Sequence, residues 1–153
     1  MKFFTITKII AFLFSLIINI SATAVVPEAP FESNPIISIQ CELGEIEIEV
    51  YLKKAPITAS NFLKHIRNSV FQRSTIYRTV KPGNQPDNPV KIEVIQGGPD
   101  ESFLRDKLGI RDHGKTGIPH ETTAVTGIRH LDGTLSMARM EPGTADYHYF
   151  ICI

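Results

Sequence analysis

An excess of either charge is missing from this chain: its 153 residues include 16 Lys and Arg against 16 Asp and Glu. No segment gathers the basic side chains into a patch, so nothing neutralises a phosphate backbone and nucleic acid is excluded as a partner. Cysteine is scarce. Cys41 and Cys152 are the two present, with no Cys-x-x-Cys pair, which excludes a dithiol redox site. Both lie in apolar, strand-like runs, so two buried thiols and, for an exported protein, one disulfide are both open. An apolar run long enough to span a bilayer is absent too. The stretch from Ile9 to Ile20 has 12 residues, short of the roughly 20 that a spanning helix needs. The spacing of His113, His120 and His130 fits no compact ligand set, so no metal is expected. Internal repeats and low-complexity runs are lacking as well.

What is present begins with a leader. Residues 1–24 join Lys2 and Lys8, the apolar run and the small residues Ala22-Thr23-Ala24, the pattern of a secretory signal peptide. The expectation is export to the periplasm, cleavage after Ala24 and no stable membrane anchor afterwards. Cleavage removes two lysines and no acids, which leaves a net charge of −2. Residues 25–35, VVPEAPFESNP, read as a linker.

A domain over 36–153 follows. Ile46, Ile48 and Val50 alternate with Glu45, Glu47 and Glu49, a half-buried strand, and the turn at Leu43-Gly44 pairs it with the preceding run as a hairpin. Over 55–69 the period changes: Ala59, Phe62, Leu63 and Ile66 fall on one helical stripe, with Pro56 suited to the first turn and Asn68 to the end. Strands are predicted near 74–80, 91–96, 133–140 and 147–153, and a long surface loop over 97–118. Six strands and one covering helix make a mainly β domain, a barrel or sheet. The apolar run YFICI at the end would leave an unpaired edge, so the domain is expected to lack its C-terminal part.

Strict alternation places Ile76, Arg78 and Val80 on one strand face, Ile92, Val94 and Gln96 on another, and His148, Phe150 and Cys152 on a third. Arg carries a fixed fork of donors, Gln both a donor and an acceptor, and Phe a flat apolar wall. No strong nucleophile and no paired carboxylates accompany them. Brought together, such groups suit binding a peptide and polarising an amide without a covalent step. On pattern alone Arg78 equally fits a solvated outer face. Glu121 reads as a structural hydrogen-bond acceptor.

The stretches GEIEIEVYLKKAPITASNFL, IYRTV, IQGG, IPHE, RHLDGTLSMAR and YFICI occur in an order that resembles the cyclophilin-type peptidyl-prolyl cis-trans isomerases, of the exported bacterial kind. The resemblance runs from about Pro35 to Ile153. It implies a closed eight-stranded antiparallel barrel with its site on the outer face, about six strands of it in this chain, no cofactor, a monomer when complete, and proline-containing unfolded or exported polypeptides as substrates. It implies that Arg78 is catalytic. It implies that Gln96 bonds the substrate, that Phe150 lines the proline pocket, and that the peptide passes Ala138 and Arg139, the latter in place of an asparagine. Val94 stands where a methionine is common and His148 where the family has a second glutamine. Ile76-Tyr77-Arg78 stands where the family usually reads Phe-His-Arg, Glu93 replaces an apolar aromatic, and PGNQPDNPVK is an insertion. The family's later pocket leucine and histidine, second helix and last two strands would lie beyond Ile153. These departures keep open a proline-segment binding module or holdase with little turnover, or an inactive fragment.

Overall fold

The computed structural model describes residues 33–110 and 117–153. The expected signal peptide, most of the linker and His113 lie outside the described residues. Strands β1 (Ile36–Cys41) and β2 (Gly44–Glu49) form the expected hairpin. Ile37 pairs with Ile48 and Ile39 with Ile46, so the isoleucines share one half-buried face while the glutamates stand in water. Gly44 enters β2 at φ 139°, a backbone geometry that favours glycine.

Helix α1 (Pro56–Arg67) begins at its proline and ends at Asn68. Ala59, Phe62 and Leu63 are buried as the stripe requires, and each of the two large side chains contributes roughly 1.5–3 kcal/mol by leaving water. Ile66, the expected fourth member, is 37% exposed, and His65 turns inward instead. The helix packs with Val50, Met137, Ala145 and Tyr149, flanked by the hairpin isoleucines. Its first turn has no acidic residue and no side-chain cap of its own. Glu121 supplies one from a distant loop, accepting from the backbone N–H of Ile57 at 3.1 Å and of Thr58 at 2.7 Å. Anions are favoured at that end of a helix, and this is the structural acceptor role expected of Glu121.

A second sheet contains β3 (Ser74–Val80), β4 (Val94–Pro99), β5 (Leu135–Met137) and β6 (Tyr149–Cys152) in the order β3-β4-β6-β5, antiparallel throughout. Among the described residues the strands number six and the fold is mainly β, with α1 as its covering helix. Their hydrogen bonding runs in two sheets, one of two strands and one of four.

Three expectations need correction. The segment 97–118 is not a continuous loop. Asp100 accepts from the Phe103 N–H at 2.8 Å and opens helix α2 (Glu101–Leu108), and Gly109 closes it at φ 68°. Leu104 anchors this helix, fully buried beside Val70 and Tyr147. A one-turn helix α3 (Thr123–Thr126) follows later. Strand β4 begins at Val94, so Ile92 and Glu93 belong to the connection before it. The cysteines differ from each other: Cys152 is buried, while Cys41 is exposed and its thiol points to the Gly44 carbonyl at 3.1 Å. Both are free thiols, so neither the disulfide nor the pair of buried thiols describes them.

Candidate functional site

The site is built on the four-stranded sheet, and a bulge sets it up. Alternation put Ile76 and Arg78 on one face, yet the β3–β4 register shifts between them: Ile76 pairs with Gly97 and Arg78 with Gln96. One extra residue, Tyr77, is accommodated on β3, which re-aims the side chains around it. Ile76 goes to the opposite face, the side of Tyr149, where it stays 47% exposed; its Cδ1 lies 2.8 Å from where a Cβ on Gly97 would stand.

On the other face a row of register partners crosses all four strands: Arg78 opposite Gln96, Gln96 opposite Phe150, Phe150 opposite Ser136. Directly opposed side chains are near neighbours. Beside this row lies a second, Val80 opposite Val94 and Val94 opposite Cys152, which are buried together with Phe150 against them. Val94 is therefore floor, 7% exposed, and burial pushes the Cys152 thiol above its usual pKa.

The two glycines after Gln96 now have a reason. A Cβ on Gly97 would meet Ile76 and Tyr149 on the face away from the site, and one on Gly98 would meet the ring of His148 on the site face. The glycines let an aromatic close over each side of β4. His148 is placed this way within 3.1 Å of the Tyr77 hydroxyl, its ring edge-on to that of Tyr77 at 5.7 Å between centroids. Arg78 Nη1 donates to Gln96 Oε1 at 3.2 Å, and Gln96 Nε2 donates to the Tyr77 hydroxyl at 2.8 Å. Burial raises the pKa of that hydroxyl, outweighing the Gln96 hydrogen bond and the Arg78 charge, which act the other way.

A cleft of about 1250 Å³ runs over this face, lined by Arg78, Gln96, Phe150, Val94, Ala138, Arg139 and His148 among others. All seven residues singled out in the sequence thus border one space. Arg139 and Arg78 are exposed there; Ala138 is half-buried, its N–H bonded to the His148 carbonyl at 2.8 Å. Helix α1 fixes the segment that leads into β6: Asn61 Nδ2 donates to the Asp146 carbonyl at 2.7 Å, and His65 Nε2 lies 3.2 Å from Asp146 Oδ1, although not aligned as a hydrogen bond. That segment carries His148 and Phe150, so the helix helps place both.

Two residues at the site escaped the sequence reading. Tyr77 was hidden by the bulge, which nothing in IYRTV announces. His130, grouped with solvated loop histidines, stacks on Phe150 with ring centroids 5.7 Å apart and planes 20° from parallel. Its neighbour in the motif RHLDGTLSMAR was the available signal. Among the described residues no three His, Cys, Asp or Glu side chains converge as a metal set.

Comparison with known proteins agrees with this architecture. The family described as "Cyclophilin type peptidyl-prolyl cis-trans isomerase/CLD" matches residues 36–153. The chain is 34% identical over 120 residues to a peptidyl-prolyl cis-trans isomerase of Acinetobacter baylyi, covering 78% of this chain and 55% of that one. It is 31% identical over 133 residues to peptidyl-prolyl cis-trans isomerase A of Dickeya dadantii, covering 86% and 61%. It is 33% identical over 109 residues to peptidyl-prolyl cis-trans isomerase B of Escherichia coli, covering 71% and 56%. The chain therefore spans somewhat more than half the length of these curated relatives. With the family match over the whole of the described sheet, helix and cleft, the chain belongs to the cyclophilin-type peptidyl-prolyl cis-trans isomerase family.

Proposed function

We propose that the protein catalyses cis-trans isomerisation of X-Pro bonds in unfolded, exported polypeptides, without a covalent intermediate. The observation that carries the reading is the cross-strand row Arg78–Gln96–Phe150, one donor, one amide and one apolar ring on the floor of an open cleft.

Amide resonance sets the uncatalysed barrier at about 18–20 kcal/mol, so the bond turns over in tens to hundreds of seconds. Twisting the bond localises the lone pair of the prolyl nitrogen. Arg78, always charged, donates towards that nitrogen as it becomes an acceptor, an interaction stronger in the twisted state than in either planar one. Phe150 holds the proline ring, over a floor of Val94. Gln96 engages the carbonyl that swings, or its flanking backbone. The peptide passes Ala138 and Arg139, and His148 stands at the rim. In this reading residues 1–24 direct export to the periplasm and are removed, and the complete protein works as a monomer.

A protease-coupled assay on a proline tetrapeptide tests the assignment. Arg78→Ala should lose roughly 10²–10³ of the rate, the cost of one such donor, with an unchanged melting temperature. Equal turnover in wild type and Arg78→Ala would refute it. One observation favours a second reading, a proline-segment binder with little turnover: Glu93 lines the cleft where the family resemblance expects an apolar aromatic. That reading requires peptide binding with no rate enhancement.

A further inference from the structure

We infer that Tyr77 is a positioning residue, which fixes the orientation of the Gln96 side-chain amide and thereby the partner that Arg78 meets. This inference rests on the isomerase reading above for its kinetic consequence, but not for its geometry.

A glutamine amide has two ends of similar shape and opposite hydrogen-bonding character. Turned one way, Gln96 offers Arg78 an oxygen; turned the other, it offers an NH₂ that cannot accept from a guanidinium. Arg78 donates to Gln96 from Nη1 to Oε1 at 3.2 Å. That is at the long end of the range for such a bond, and it leaves the amide weakly held from that side. The shorter bond is on the other side, Nε2 to the Tyr77 hydroxyl at 2.8 Å. Tyr77 can receive it because its own hydrogen has an outlet: His148 Nδ1 lies 3.1 Å away. With His148 in the tautomer that carries its proton on Nε2, Nδ1 accepts and the bonds run in one direction, Arg78 to Gln96 to Tyr77 to His148. The raised pKa of the Tyr77 hydroxyl keeps that hydrogen in place. The β3 bulge is what brings Tyr77 and Arg78 to the same amide from adjacent positions. Gly98 is what leaves room for the acceptor ring of His148.

Tyr77→Phe removes the hydroxyl and retains the ring, which is 49% exposed and edge-on to His148. Two readouts on the whole chain test the role. The first is the pair of Gln96 side-chain amide proton signals in ¹⁵N-edited NMR, assigned by Gln96→Ala. Tyr77→Phe should shift them and draw them together, while backbone signals outside the cleft stay put. The second is a mutant cycle in the isomerase assay. Tyr77→Phe should lower kcat about 3- to 10-fold, the scale of one neutral hydrogen bond, with little change in KM, and should have no further effect once Gln96 is Ala. Unmoved amide signals, or an equal loss with and without Gln96, would overturn the inference. Wild-type protein without turnover would contradict the isomerase reading alone, since the amide signals still decide the place of Tyr77.

Discussion

Arg78, Gln96 and Phe150 owe their meeting to pairing register, a property of single residues: a slip of one position sends every side chain to the opposite face. His148 shows how a single substitution alters such a site. The family resemblance expects a glutamine there, which carries donor and acceptor at every pH. A histidine does so only while neutral, and an ordinary histidine side chain titrates near pH 6.5. Protonation would make Nδ1 a donor towards the Tyr77 hydroxyl and add a second cation to the face that holds Arg78. Turnover is therefore expected to fall as acid protonates that ring. His148→Gln should flatten the profile. Rate profiles of the two proteins that superimpose would remove His148 from the site.

At the scale of elements, α2 depends on one carboxylate. Asp100 accepts from Ser102 Oγ and from the Phe103 N–H, and those bonds hold its pKa below the usual value. A depressed folded pKa stabilises above the unfolded value of 3.8 and loses that contribution as pH falls below it. Hydrogen exchange in α2 should therefore accelerate selectively below about pH 3.8, and Asp100→Ala should give the same fraying at neutral pH. Uniform exchange along the chain in that variant would contradict this. The elements most legible in the sequence were those with a strong local period, the hairpin of alternating isoleucines and glutamates and the stripe of α1. Helix α2 was not, because its eight residues, ESFLRDKL, bury one leucine completely and carry their signal in the flanking Asp100 and Gly109 rather than in a stripe. The bulge at Tyr77 was hidden for a different reason: it is imposed by pairing with β4, a partner that the local sequence does not contain. Arg78, Gln96 and Phe150 were legible through the family's motifs, whereas His130 depends on a stacking partner 20 residues away in the chain.

At the scale of the whole molecule, the cleft is tied to the core at two points, Glu121 across the N-terminus of α1 and Asn61 on the Asp146 carbonyl. Glu121→Ala strips α1 of its only side-chain acceptor among the described residues and should cost about 1–2 kcal/mol, the range of a helix cap. Thermal melting reads it, and an unchanged midpoint would show that the bonds to Ile57 and Thr58 carry no stability. The same mutation should slow isomerisation less than Arg78→Ala does, since it leaves the row on β3, β4 and β6 intact. That row is the centre of the account, and NMR exchange spectroscopy of a proline peptide, with no protease present, tests it most directly. The spectra report binding and cis-trans interconversion in one sample. The account predicts that catalytic amounts of wild-type protein produce cis-trans exchange peaks, and that Arg78→Ala still binds the peptide yet loses them. A wild-type protein that binds the peptide and produces no exchange would contradict it.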